Sequence, residues 1–99
     1  PDVMYIRDWE ISGLFDSCDE DGNAVFVLKN RFFSGDTLEL MQPGKPVYSF
    51  TVENMTNDDG EVLDAARSAM MRIHLKFPFQ VSEFSILRKE KAANPIKKA

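Results

Sequence analysis

The side chains best equipped for chemistry are few in this sequence: one cysteine, Cys18, and one histidine, His74, among sixteen acidic residues. A nucleophile becomes useful when a base beside it takes its proton and a third group orients that base. Cys18 stands in an acidic stretch with Asp16, Asp19, Glu20 and Asp21, where negative charge disfavours a thiolate. His74 lies between Arg72 and Lys76, and two neighbouring cations disfavour its protonation. No serine occupies a Gly-x-Ser-x-Gly elbow. Cys18 therefore reads as an ordinary thiol near a strand end and His74 as an exposed strand histidine. No catalytic residue is expected.

Metal and cofactor chemistry fare no better. Asp19-Glu20-Asp21-Gly22 and Asn57-Asp58-Asp59-Gly60 faintly resemble calcium loops, which need a bidentate Glu six places after the glycine. Leu28 and Ala66 stand at those places, so both segments read as solvated turns in which Asp, Asn and Gly supply backbone geometry. A lone cysteine holds neither a zinc ion nor an iron–sulfur cluster, and it closes no internal disulfide. The five glycines are scattered, with no phosphate-binding loop among them. No metal and no cofactor is expected.

What remains is recognition. Lys29, Arg31 and Phe32, with Phe33 beside them, combine cations and aromatics, and Arg72, His74 and Lys76 form one face of an alternating segment. Such residues on a β-surface can stack and hold single-stranded nucleic acid, or dock another protein domain. The competing reading has Phe32 and Phe33 plugging the end of the barrel while Lys29 and Arg31 stay solvated and cover apolar surface with their stems. The net charge of −4 opposes strong nucleic-acid binding by this domain alone, because phosphate neutralisation supplies most of that affinity.

These residues must be positioned by short strands. Alternation or short apolar runs predict strands over 8–15, 24–28, 37–41, 47–55, 70–77 and 82–88. Turn-forming clusters separate them, and Gly13 marks a bulge or close approach. Residues 61–69 allow a short helix or an irregular crossing. The expected fold is all-β, a closed or nearly closed barrel of six or seven strands with at most one short helix, because closure removes exposed edges. Its expected core contains Ile11, Phe15, Val25, Val27, Leu38, Leu40, Phe50, Val52, Ile73, Leu75 and Ile86. Phe84 is expected in phase with Ile86. Residues 1–88 form the single domain, and the lysine-rich residues 89–99 a flexible basic tail. No apolar run of ~18 residues spans a membrane, no signal peptide opens the chain, and the lack of disulfides fits a cytoplasmic setting. The start at Pro1 suggests a piece of a longer polypeptide.

An ordered series of motifs resembles the C-terminal domain of the U32 peptidase family, the collagenase-like peptidases. It covers residues 9–88. An acidic turn ends in Gly22; Lys29-Asn30-Arg31-Phe32 and Ser34-Gly35-Asp36 follow, then Leu38-Glu39-Leu40, Pro43-Gly44, Phe50–Val52 and Asp58-Asp59-Gly60-Glu61. Ser85-Ile86-Leu87-Arg88-Lys89 is similar to the family's closing G-D-x-L-R-K. Two departures stand out: Val81-Ser82-Glu83-Phe84-Ser85 replaces the usual Pro-Gly-Asp, and 63–69 lacks the family's prolines. The resemblance implies a barrel similar to the second domain of translation elongation factors. It implies a non-catalytic accessory module, with the chemistry in an N-terminal catalytic domain that would be its partner. That domain would act on protein as a peptidase, or on tRNA or ribosomal RNA as a hydroxylation protein with a cysteine-held iron–sulfur cluster. None of those cysteines maps here. The alternative role is an RNA-binding module, and the candidate contact residues are Lys29, Arg31, Phe32, Arg72, His74 and Lys76.

Overall fold

The computed structural model describes residues 3–6, 8–91 and 94–97. Ten strands follow one another: β1 (Val3–Ile6), β2 (Trp9–Cys18), β3 (Asn23–Leu28), β4 (Phe32–Phe33), β5 (Thr37–Met41), β6 (Tyr48–Thr51), β7 (Ala65–Ala66), β8 (Arg72–Lys76), β9 (Ile86–Glu90) and β10 (Asn94–Lys97). Six of them form one sheet in the order β6-β5-β9-β2-β3-β8; β4 pairs with β7, and β1 with β10. No helix occurs among the described residues. Residues 61–69 take the irregular crossing, with β7 as their only strand. β9 runs to Glu90, past the boundary expected at residue 88, and residues 94–97 are paired with β1. The tail and chain-start readings also fall on residues 1, 2, 92, 93, 98 and 99, which lie outside the described residues.

The sheet curls until its two outer strands meet. Rings from the β6 side, Tyr48 and Phe50, pack on Phe77 just beyond β8, with Phe50 and Phe77 centroids 5.0 Å apart. Thr56 bridges His74 through backbone bonds of 2.8 and 3.1 Å, and Gly35 and Asp36 tie Val52 to the turn before β5. The result is a nearly closed barrel. Its interior holds Phe26, Leu28, Phe32, Leu38, Leu40, Val52, Met55, Ile73, Phe77 and Leu87, all 2% exposed or less. Burying one such Phe or Leu contributes about 2 kcal/mol.

Two bulges in β2 decide which residues reach that interior. Against β9 the register steps from Ile11↔Arg88 to Gly13↔Leu87 and Leu14↔Ile86. A regular strand would place Ile11 and Leu14 on opposite faces. The extra residue, Ser12, puts both on the outer face. Gly13 turns inward, where a Cβ would sit 3.3 Å from that of Phe26. The core reading therefore needs correction. Ile11 is 37% exposed, and its place is taken by Ser12 and Gly13. Ile86 and Val27 lie on the outer face and are only half-buried, because Leu87, Phe26 and Leu28 hold the inner positions. Phe84 precedes β9 rather than belonging to it and is 84% exposed. Phe15 and Phe50 pack against the core from half-buried positions, while Val25, Leu38, Leu40, Val52, Ile73 and Leu75 are buried as expected.

Candidate functional site

The predicted contact residues fall into two groups. Arg72, His74 and Lys76 share the outer face of β8 because they alternate with the buried Ile73 and Leu75. This face is not free positive charge. Arg72 Nη1 lies 2.7 Å from Asp16 Oδ2, and its Nε lies 3.2 Å from Asp58 Oδ1. The same Asp58 oxygen lies 2.7 Å from His74 Nε2. Lys76 Nζ donates to the Asp21 carbonyl. Hydrogen bonds from His74 and then Arg72 hold the Asp58 carboxyl below its ordinary range, and Asp58 and Asp16 raise the Arg72 guanidinium further above its own. These groups are well exposed, so water screens them and they add little stability. They do engage Arg72 Nε and Nη1, His74 Nε2 and one donor of Lys76 in the fold's own contacts.

Asp16 reaches Arg72 because of the second β2 bulge, where the register steps from Phe15↔Phe26 to Ser17↔Val25 and leaves Asp16 unpaired in the ladder. Nothing in the sequence marks that step.

The segment 29–36 is mostly a fold-forming device. The Lys29 and Asn30 amides donate to the Ser12 carbonyl at 2.8 and 3.4 Å, and Asn30 Nδ2 donates to the Ile11 carbonyl at 2.6 Å, so the segment latches onto the first bulge. Phe32 is 1% exposed and pairs with Ala66, so its ring belongs to the core and offers no stacking face to a partner. Phe33 is half-buried, with Arg67 and Lys89 at 5.6 and 5.9 Å from its ring centre. Asp36 Oδ2 closes the turn by accepting from the Phe33 amide and from Lys89 Nζ, both at 2.8 Å. Burial pushes the Asp36 carboxyl up, but Lys89 and the Phe33 amide outweigh it and hold the group below its ordinary value. Lys29 and Arg31 are exposed. Lys29 Nζ lies 3.4 Å from Met70 Sδ, and Arg31 has no ion-pair partner among the described residues.

The two residues with nucleophile or base chemistry have separate partners. Cys18 Sγ accepts from the Val81 amide at 3.3 Å and lies 3.4 Å from the Asp19 carbonyl, whereas His74 holds Asp58. Among the described residues, no three His, Cys, Asp or Glu side chains converge on a possible metal position. Nor, among the described residues, is any helix long and apolar enough to cross a membrane.

Two features escaped the sequence reading. The Arg88 guanidinium lies 3.8 Å from the Trp9 ring centre, and its Nη2 and Nε reach Glu39 Oε1 at 2.6 and 2.8 Å. The only signal was the outward phase of Glu39, and its partner became visible only with the long-range β5–β9 pairing. The second is a groove of about 250 Å³ at the seam between β6 and β8, lined by Tyr48, Phe50, Thr51, Glu53, Asn54 and Lys76 among others.

This architecture has solved counterparts. Two crystal structures of the C-terminal domain of a Geobacillus thermoleovorans protein of the U32 peptidase family superpose with a TM-score of 0.74 each. The selenomethionine variant is 30% identical and covers 81% of this chain and 99% of its own; the other is 25% identical and covers 83% and 92%. The tRNA hydroxylation protein P1 of Bacillus subtilis (strain 168) is 30% identical over 84 residues, which make up 84% of this chain and 20% of that protein. The chain thus spans about a fifth of the length of that curated relative. Residues 7–88 match the family model described as the peptidase family U32 C-terminal domain. With most of its length matched, the chain belongs to the U32 C-terminal domain family.

Proposed function

We propose that this chain is a non-catalytic accessory module of a U32 protein, which docks on the catalytic part or helps present its substrate. The observation that carries this reading is the engagement of the chemically capable side chains in the fold's own contacts. His74 and Arg72 are taken up by Asp58 and Asp16, and Cys18 by the Val81 amide. The family match supports it, since the matched domain is the C-terminal part of U32 proteins. In this reading the N-terminal catalytic part is the partner, the setting is the cytoplasm, and the parent is a peptidase or an RNA hydroxylation protein.

The Bacillus subtilis relative, a tRNA hydroxylation protein by name, favours a second reading, an RNA-binding module. Lys29 and Arg31 would carry such contact, since Phe32 is buried and Arg72 is held by two carboxylates. Titrating labelled tRNA with the purified chain at low and near-physiological salt separates the two. If the module only docks on the catalytic part, no saturable binding is expected at either salt. Saturable binding that weakens with salt, and weakens again in Arg31→Ala, would overturn docking alone in favour of RNA presentation.

A further inference from the structure

The outer face of the sheet carries an apolar strip that the fold itself does not cover. Its rows follow from the pairing. Met41 lies opposite Ile86, Ile86 opposite Leu14, and Leu14 opposite Val27, so four neighbouring strands contribute one residue each. The bulge at Ser12 adds Ile11, which a regular strand would have pointed inward. Phe84, two residues before Ile86, borders a hollow of about 290 Å³ with Phe15, Asp16 and Glu83. Ile11, Leu14 and Phe84 are 37%, 39% and 84% exposed.

Phe84 is the informative member. Its φ is +65°, a left-handed conformation that a bulky side chain adopts only against strain. The backbone there belongs to the turn that seats the buried Ser85, which donates to the Ser82 carbonyl and accepts from the Phe15 amide; the ring itself has no role in the free domain, being almost wholly in water and without a ring–ring contact. A strained backbone that presents an aromatic beside an apolar strip is the arrangement of an interface anchor.

We infer that this strip is the surface on which the preceding, catalytic part of a U32 protein seats, with Phe84 inserted as the anchor. The inference rests on the accessory-module reading above and specifies its contact. Two observations select that occupant. First, the domain matches only a fifth of its curated relative, and the strip starts at Ile11, two residues into β2. A body joined ahead of β2 is therefore held beside the strip at high effective concentration. Second, Glu83 beside Phe84 has no ion-pair partner among the described residues, whereas Asp16, which borders the same hollow, is held by Arg72. Glu83 therefore suits a Lys or Arg at the edge of the partner's apolar surface, and a second copy of this chain, net charge −4, supplies one poorly.

Amide hydrogen exchange tests this in the Bacillus subtilis relative with its matched 84 residues replaced by this chain, compared with the free chain. Docking through the strip slows exchange at residues 11–16 and 83–86 by about tenfold or more. Leu14→Ser and Phe84→Gly each return those segments to the free-chain rate. Phe84→Gly is the decisive variant: glycine suits φ +65°, so the free domain folds at least as well while the anchor is gone. Protection on another face, such as β8, overturns the strip but leaves docking standing. Unchanged exchange everywhere overturns both. Concentration-dependent dimerisation of the free chain that Phe84→Gly abolishes would assign the strip to a second copy and likewise overturn the proposal.

Discussion

Two turns of this molecule are built to one plan and set in opposite surroundings. In Asp19–Asn23, the Asp19 Oδ1 accepts from the Asp21 and Asn23 amides, both at 2.9 Å, and the Gly22 amide returns to the Asp19 carbonyl. In Asn57–Glu61, the Asn57 Oδ1 accepts from the Asp59 and Glu61 amides at 2.9 and 3.0 Å, and the Gly60 amide returns to the Asn57 carbonyl. Each glycine stands fourth, at φ +89° and +79°. These are the segments that faintly resemble calcium loops. Their carboxylate and amide oxygens are spent on turn amides instead, a local alternative that Asp and Asn commonly adopt. The difference lies beyond the turn. Gly22 is pressed against the barrel rim, where it accepts from the Phe77 amide at 2.8 Å. Gly60 faces open space. One motif is thus a structural rivet in one place and a simple reversal in the other.

The sharpest break of that comparison is Gly22→Ala. A Cβ there would overlap the Phe77 carbonyl oxygen and sit 2.8 Å from that of Phe79. Both obstacles are backbone, so the rim itself must move. Added to left-handed strain, this should cost about 4 kcal/mol, near the top of what single substitutions do. Gly60→Ala meets no atom within 4 Å, so only the φ penalty remains, about 1 kcal/mol. Urea unfolding of the two variants measures both. Equal losses would mean that the rim yields and the turns are equivalent.

Such distinctions mark how far the sequence could be read. The strand alternation placed Leu38, Leu40, Ile73 and Leu75 correctly, because these strands are regular and one face is buried. It failed in β2, where the period of two was carried straight through both bulges. A single inserted residue moves every later side chain to the other face, which is why Ile11 was assigned inward and Leu14 was not assigned to the surface strip. In β3 the apolar run 24–28 gave no phase at all, and Val27 was taken for the core although it lies half-buried between the inward Phe26 and Leu28, while Val25 is buried as expected. The candidate surface was legible in composition but not in pairing. Arg72, His74 and Lys76 do share a face, yet Asp16 and Asp58, which lie 56 and 14 residues from Arg72 in sequence, decide its charge. Phe32 was weighed as a contact residue and as a plug, and only its pairing with Ala66 separates the two.

The smallest expected effect is a difference in pH response, and it comes from a reversal within the shared plan. Asp19 Oδ2 accepts from Asn23 Nδ2 at 2.8 Å, whereas Asn57 Nδ2 donates to Glu61 Oε1 at 3.0 Å. The amide and the carboxylate have exchanged ends of the turn. The bond from the Asn23 side chain, then that from its backbone, holds the Asp19 carboxyl below its ordinary value. A carboxyl whose folded pKa is depressed contributes stability above its unfolded pKa and loses it as pH falls through the folded value. Asp19→Asn should therefore weaken the protein at neutral pH, and the gap to the parent chain should close on acidification below about pH 4. Asn57→Asp should recover in the same direction but from the opposite cause, a repulsion added rather than a bond removed. It sets a second carboxylate against Glu61 beside Asp58 and Asp59, and like charges raise the folded pKa of the pair. The resulting loss is present at neutral pH and relieved as acid protonates the pair, starting at a higher pH than the Asp19 transition. Urea midpoints of both variants and the parent between pH 2 and 7 test this. Parallel curves for the two variants would mean that the side-chain reversal is energetically silent and that the turns differ only in what their glycines touch.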